Sequence, residues 1–124
     1  MSFLILQAYL RLVVFDLHLM RGDFDSLYRK VRDCRATKPE NHVHALESVC
    51  SAVNIACIWY WKEALCLQRS AVTAFLLKQR GVAAQLVIGI QHMPFKAHAW
   101  VEVDGSVVND HAYTPEMYTV LDRC

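Results

Sequence analysis

Glycine and proline are scarce in this 124-residue sequence, which holds four glycines and three prolines. No Pro-, Gly- or Ser-rich stretch is long enough to form a linker and no segment is repeated, so we expect a single domain over residues 1–124. The sequence also lacks an excess of charge of either sign, because 13 Lys and Arg nearly balance 12 Asp and Glu and the net charge is +1. Such a chain has no long-range field that gathers polyanions, which argues against a nucleic-acid partner. Its 55% hydrophobic content excludes a disordered chain.

Motifs that pair cysteines or bind zinc are absent. The sequence contains no CxxC and no HExxH, and its cysteines are odd in number: Cys34, Cys50, Cys57, Cys66 and Cys124. An odd set at irregular spacing argues against both a disulfide framework and a structural zinc site. We therefore expect reduced thiols in a cytoplasmic protein that needs no metal or other cofactor.

The first twenty residues are strongly apolar, which raises the question of a membrane or secretory segment. Arg11, Asp16 and His18 interrupt the run, and the order of charged and small residues typical of a signal peptide is missing. The sequence therefore predicts a helix that is buried or covered by a partner protein, and no membrane contact.

Apolar residues recur at helical spacing in the first part of the chain. We expect a first helix from Phe3 to Met20, ended by Gly22 in the left-handed conformation. Asp23 then caps a short second helix. The predicted apolar face of this second helix comprises Phe24, Leu27, Tyr28 and Val31.

A third helix is indicated by a capping box of Thr37 and Glu40, with Pro39 in the first turn. Its predicted buried stripe follows at steps of three and four residues: Val43, Leu46, Cys50, Val53, Cys57 and Tyr60. No Gly or Pro lies between Pro39 and Gly81, so we expect a break in this stretch that no breaker residue marks. The helix before Gly81 should end with Lys78 in its last turn.

Beyond Gly81 the residues become β-branched and alternate in polarity, which predicts three strands. These are QLVIGI, KAHAWVEV and SVVND, separated by turns at QHMP and Asp104-Gly105. One face of the second strand carries Ala97, Ala99, Val101 and Val103, and the other carries His98, Trp100 and Glu102. Helices followed by an antiparallel sheet indicate an α+β fold.

Three residues of this second half have the chemistry of a cysteine nucleophile, its base and an orienting acid: Cys66, His98 and Asp110. Cys66 lies at a predicted helix start, where free backbone N–H groups and the helix dipole stabilise a thiolate. Its own N–H is a candidate oxyanion donor, and no second donor is evident. The order Cys, His, Asp is that of papain-like enzymes. Because buried cysteines and strand histidines are common, the spacing alone leaves a purely structural role open.

The register of the last two strands decides whether His98 and Asp110 meet. A two-residue loop at residues 104–105 places Asp110 on the face away from His98. A three-residue loop over residues 103–105, with Gly105 at positive φ, places the two side chains opposite each other. Catalysis by this set of residues therefore predicts the second register.

Two stretches, CLQRSAVTAFLLKQRGVAAQLVIGI and PFKAHAWVEVDGSVVND, resemble the transglutaminase-like core of lasso-peptide leader peptidases, which are small stand-alone maturation proteases. The resemblance covers residues 65–111, a little over a third of the chain. It combines a cysteine at a helix start, an Arg-Gly pair, the PFxAHAWVE motif and an Asn-Asp pair. It implies an α+β papain-like fold in which the nucleophile helix packs on a small antiparallel sheet. Residues 1–60 would then form a helical N-terminal part, and residues 61–124 the catalytic core.

The same resemblance implies that Cys66 is the nucleophile, His98 the base and Asp110 the orienting acid of a cytoplasmic cysteine endopeptidase. Its substrate would be a lasso precursor peptide, cut after a leader whose next-to-last residue is commonly threonine. A separate winged-helix protein would recognise the leader, and a contact with the lasso cyclase stays open. Two alternatives remain: a transglutaminase-type acyltransferase or deamidase, and a leader-binding module without activity.

The other candidate residues have plainer explanations. No second ligand lies at a metal-site spacing from the remaining histidines, His18, His42, His44, His92 and His111. Trp59 and Trp61 either line the cleft or belong to the core. Arg69 either meets the precursor or is a surface residue, and the plain explanation of Asn109 is that it satisfies a strand end. The first helix either docks a partner or covers the core through Phe3, Leu4, Leu6, Leu10, Val13 and Leu17.

Overall fold

The computed structural model describes residues 2–22, 24–33, 42–60, 66–92, 95–110 and 114–124. Its helices are α1 (Ser2–Met20), α2 (Phe24–Asp33), α3 (His42–Trp59), α4 (Cys66–Gln79) and α5 (Thr114–Met117). Its strands are β1 (Ala84–His92), β2 (Phe95–Val103), β3 (Ser106–Val107) and β4 (Thr119–Arg123). Within these described ranges the strands form one antiparallel sheet in the order β3-β2-β1-β4. The α+β class expected from the sequence is confirmed.

The first two helices follow the sequence prediction closely. The buried face of α1 comprises Leu4, Ala8, Leu12 and Phe15. After α1, Gly22 takes a φ of 70°, the left-handed conformation expected there. In α2, Leu27 and Val31 are fully buried, as predicted. The proposed cap at Asp23 lies outside the described residues.

Val53 and Tyr60 of the predicted third-helix stripe are buried as expected, but its other described members are offset from the face that the structure buries. Leu46, Cys50 and Cys57 are half-buried, whereas the most enclosed positions of α3 are Ala45, Val49, Ala52, Val53 and Ala56. The physical reason is that α3 packs against both α1 and α4. Small side chains allow two helices to approach closely, so alanines occupy the contact line and larger residues flank it. The capping box at Thr37 and Glu40, and the side chain of Val43, are outside the described part.

The break expected between Pro39 and Gly81 is present. Helix α3 ends at Trp59 and α4 begins at Cys66. After α4, Gly81 has a φ of 83°. Val82 N–H donates to the Leu77 carbonyl at 3.0 Å, and Gly81 N–H donates to the Lys78 carbonyl at 3.1 Å, which closes a Schellman motif. Lys78 is buried rather than solvated, and its Nζ donates to the carbonyls of Val31 and Cys124.

The sheet positions β2 between β1 and the short β3. Strands β1 and β2 pair along their full lengths, from Ala84 opposite Val103 to His92 opposite Phe95. Met93 and Pro94 of the predicted QHMP turn are outside the described residues. Helix α4 packs against β2, and Ser70 Oγ donates a 3.0 Å hydrogen bond to the Ala99 carbonyl. Helix α4, which begins with Cys66, therefore lies on a small antiparallel sheet, as the resemblance implies.

Helix α1 is long and apolar enough to cross a membrane, judged by length and composition. Core helices of globular proteins meet the same criterion. Of the window Phe3–Met20, 28% is buried inside the protein, which leaves a second apolar face in contact with solvent. That face carries Phe3, Leu6, Leu10, Leu17 and Met20, all about half exposed or more.

Candidate active site

Cys66 and His98 line one cavity. Cys66 is the first residue of α4, so its side chain lies at the helix end where backbone N–H groups lack intrahelical partners. His98 lies in the middle of β2. The cavity measures about 170 Å³ and is lined by Cys66, Leu67, Ile88, Ala97, His98 and Ala99. Within the described residues Cys66 and His98 share no hydrogen bond, so the cavity rather than a direct contact joins them.

Asp110 holds the imidazole of His98. The Nε2 atom of His98 donates to Asp110 Oδ2 at 2.5 Å, and the two side chains are 21% and 17% exposed. A carboxylate bonded to one ring nitrogen fixes both the tautomer and the orientation of a histidine. Because Nε2 is occupied, Nδ1 is the nitrogen that remains for proton transfer.

The structure contradicts the three-residue loop that the sequence analysis required. Glu102 pairs with Val107 and Val103 pairs with Ser106, which leaves a two-residue turn. Both turn residues have positive φ, 53° for Asp104 and 78° for Gly105. This is the combination of a type I′ turn, which matches the twist of the flanking strands better than a bulged loop does. Gly105 thus has its predicted conformation in a different register.

His98 meets Asp110 all the same, because β3 is far shorter than predicted. The regular strand ends at Val107, and the chain bends through residues 108–110. The alternation of faces applies only while a strand continues. Asp110 lies beyond the end of the strand, so the strand register does not determine the direction of its side chain.

Two aromatic rings surround the imidazole. Ring centroids lie 5.3 Å apart for His98 and Tyr118, 5.9 Å for His98 and Trp100, and 5.8 Å for Trp100 and Tyr118. Trp100 is fully buried, and its Nε1 donates to Glu102 Oε2 at 2.8 Å. Gly89 makes room for the cluster, since a Cβ there would lie 2.8 Å from the indole and 2.9 Å from Tyr118 Cβ. The alternation in β2 indicates the Trp100 contact, but no sequence signal indicates Tyr118.

The other candidate residues that the structure describes do not line this cavity. Trp59 is 76% exposed and is not among the residues that line the cavity, so it neither walls the cleft nor joins the core. His18 accepts a 3.0 Å hydrogen bond from Lys30 Nζ. Arg69 is half-buried, and its Nε has no hydrogen-bond partner. Trp61, His111 and the side chains of the other three histidines lie outside the described part. No group of three or more His, Cys, Asp and Glu residues within the described ranges is placed to hold a metal ion.

Burial distinguishes three other cysteines chemically. It raises the pKa of the Cys50, Cys57 and Cys124 thiols above the ordinary value, since a thiolate loses solvation there. Cys50 Sγ also donates to the Val108 carbonyl at 3.7 Å. At neutral pH these thiols therefore remain protonated, which disfavours them as nucleophiles.

Comparison with known proteins gives a family for the chain and one partial relative. Residues 9–123 match the sequence profile of the Transglutaminase-like superfamily. A stretch of 45 residues is 47% identical to the microcin J25-processing protein McjB of Escherichia coli. That match covers 36% of this chain and 22% of McjB, so the chain aligns with about a fifth of its relative's length. No solved structure matches the chain significantly.

Proposed function

Because the chain belongs to the transglutaminase-like superfamily, we propose that it is a cysteine endopeptidase that removes the leader peptide from a lasso precursor. The observation that carries the proposal is the His98–Asp110 pair at the edge of a cavity that also contains Cys66. The similarity to a microcin J25-processing protein supports a peptide-maturation role. The cytoplasm, where such precursors are made, is the proposed location.

In the proposed reaction Cys66 is the nucleophile. His98 takes the thiol proton through Nδ1, and the thiolate attacks the scissile carbonyl carbon to form a tetrahedral oxyanion. The C–N bond then breaks, and His98 returns the proton to the leaving amine. Water next attacks the thioester carbon while His98 accepts its proton. The C–S bond then breaks, His98 returns the proton to the sulfur, and the leader leaves as a carboxylic acid that ionises in water. Asp110 keeps the imidazole oriented and stabilises its charged form throughout.

The cavity supports a substrate with a small apolar side chain next to the scissile bond. Its walls are aliphatic apart from Cys66 and His98, and they include the small side chains of Ala97 and Ala99. A compact, β-branched side chain fits such a space, because an aliphatic wall gains by excluding water from it. This agrees with the threonine that the family resemblance implies near the cleavage site.

A separate leader-recognition protein of the winged-helix type is the proposed partner, with the lasso cyclase as a further one. The exposed apolar face of α1 is the proposed docking surface, since apolar surface of this extent typically marks a binding site.

Cleavage of the precursor, followed by mass spectrometry, tests the function. Purified protein with precursor and recognition protein should release the leader by hydrolysis, and Cys66→Ala should lower the rate by roughly 1,000-fold or more. Asp110→Asn should be less harmful, because it leaves the nucleophile and base in place. Cys57→Ala is the matched control and should retain activity. Wild-type cleavage by folded Cys66→Ala protein would contradict the proposal.

The products also separate the two alternatives. Transfer of the acyl group to an amine, or conversion of an amide to an acid without chain cleavage, would identify a transglutaminase-type acyltransferase or deamidase. Leader binding without any covalent change would identify a binding module.

A further inference from the structure

A buried hydrogen-bond network ties together the three chain segments that carry the proposed triad. Asn109 Oδ1 accepts from the Val101 N–H at 2.8 Å, and Asn109 Nδ2 donates to Ser70 Oγ at 3.0 Å. Ser70 Oγ in turn donates to the Ala99 carbonyl at 3.0 Å. Ser70 is fully buried, so water does not compete for its bond to the Ala99 carbonyl.

Asn109 replaces a backbone interaction that would otherwise keep the chain in the sheet. Val108 N–H donates to the Val101 carbonyl at 3.0 Å, and in a continuing ladder Val101 N–H would donate back to the Val108 carbonyl. Instead the Asn109 side chain takes the Val101 N–H, and the Val108 carbonyl accepts from Cys50 Sγ at 3.7 Å. The strand thus stops without leaving a buried N–H unpaired.

Ser70 connects Asn109 and strand β2 to helix α4, which begins with Cys66. It lies four residues after Cys66, hence on the same side of α4 one turn later. Its acceptor is the carbonyl of Ala99, the residue directly after His98. One hydroxyl group therefore fixes the start of α4 against the strand that carries the base.

From these contacts we propose that Asn109 and Ser70 are positioning residues of the active site. Asn109 holds the bend that turns Asp110 toward His98, and Ser70 holds the first turns of α4, which carry Cys66, against the strand that carries His98. Neither residue touches the reacting atoms. This role rests on the proposed protease function and extends it to the residues that make the triad geometry possible.

Kinetics of single variants provide the first test. Asn109→Ala and Ser70→Ala should each lower kcat for leader removal by roughly 10- to 100-fold with little change in KM, because small misplacements of reacting groups slow the chemical step. Thr73→Val is the matched control. Its hydroxyl is equally buried in α4 but donates within the helix to the Arg69 carbonyl, so turnover should stay near wild type. If Asn109→Ala does not fold, Ser70→Ala, which removes a single hydroxyl, carries the test.

Coupling to Asp110 separates positioning from general stability. Adding Asn109→Ala to Asp110→Ala should cost no further activity, since the acid that Asn109 positions is already gone. Losses that multiply, or an unchanged kcat in folded Asn109→Ala protein, would overturn the proposal.

Proton NMR supplies a readout that does not depend on turnover. The His98 ring N–H bonded to Asp110 should give a low-field signal in wild-type and Thr73→Val protein. That signal should vanish in Asp110→Ala and weaken strongly in Asn109→Ala. An intact signal in Asn109→Ala protein would overturn the positioning role. The proposed protease function fails on a different result, wild-type cleavage by Cys66→Ala.

Discussion

At the scale of single residues, the site depends on how closely His98 is confined. Asp110 occupies one ring nitrogen, and the rings of Trp100 and Tyr118 lie 5.9 and 5.3 Å from the imidazole. An imidazole restrained by a carboxylate and two aromatic neighbours has little freedom to rotate. Its free nitrogen therefore remains directed to one place, which is the condition for efficient proton transfer.

Thiol reactivity should reveal Cys66 among the cysteines. We expect iodoacetamide at mildly acidic pH to modify Cys66 before Cys50, Cys57 or Cys124. Burial raises the pKa of the latter three, so less of each is present as thiolate than in a solvent-exposed cysteine at the same pH, whereas Cys66 opens onto a cavity. Peptide mapping of the native protein gives the order, and the unfolded protein, in which the differences should disappear, is the control. Earlier modification of Cys50 or Cys57 would refute the prediction.

The sequence predicts the identity of the candidate triad but not the means by which it is assembled. A cysteine at a helix start and a histidine in an alternating strand are local patterns, so Cys66 and His98 are recognisable without a fold. The contacts of Asn109 and Tyr118 depend on the path of the chain after β3. No local pattern specifies that path, because it is set by which partners a bent backbone finds in three dimensions.

At the scale of elements, the hairpin between β2 and β3 sets where the chain leaves the sheet. If the third strand continued regularly as far as Asp110, contact with His98 would require a three-residue loop, which is what the sequence predicts. The structure uses the two-residue turn and ends the strand early. Registers deduced from strand alternation therefore hold only as far as the ladder continues. The offset of the α3 stripe has a similar origin. Helical periodicity shows that one side of α3 is apolar, but it does not show which residues on that side contact both α1 and α4.

Gly105→Val should lower both stability and activity. Nothing lies within 4 Å of a Cβ at Gly105, so the cost comes from the positive φ alone, about 1–2 kcal/mol for a side chain in the left-handed region. Gly22→Val is a matched control, because Gly22 also has a positive φ of 70° and nothing within 4 Å of a Cβ. Gly22 follows α1 and is remote in sequence from the hairpin between β2 and β3. Urea midpoints should fall for both variants, whereas the loss of turnover by folded protein should be confined to Gly105→Val. Equal turnover in the two variants would exclude a role for this turn in the site.

At the scale of the whole molecule, α1 has two apolar faces with different roles. Leu4, Ala8 and Leu12 pack inside the protein, whereas Leu6 and Leu10 are 53% and 54% exposed. From the sequence, the apolar residues of the first helix form one set that either belongs to the core or docks a partner. The structure assigns Leu4 to the core and leaves the rest of that set partly or largely exposed. Hydrophobicity alone could not divide them, since both faces are equally apolar.

Charge on the outer face of α1 should weaken the response to the recognition protein. Leu10→Asp should leave the basal cleavage rate and the melting temperature nearly unchanged, but lower the acceleration that the recognition protein gives, because a buried unpaired carboxylate opposes docking. Ile58→Asp is the matched control, since Ile58 is 76% exposed on α3. Rates with and without the recognition protein measure the effect. Equal acceleration in both variants would place the docking surface elsewhere.

The proximity of the Trp100 ring to His98 also gives the molecule an internal optical probe. An excited indole transfers an electron to a nearby protonated imidazole far more readily than to a neutral one, so the emission of Trp100 depends on the charge of His98. Trp100 is fully buried and is therefore expected to emit at shorter wavelength than the 76% exposed Trp59. Replacing Trp59 and Trp61 by Phe leaves Trp100 as the sole tryptophan emitter. Fluorescence intensity followed against pH, and again as a leader occupies the cavity, therefore reports the protonation of the proposed base in unlabelled protein.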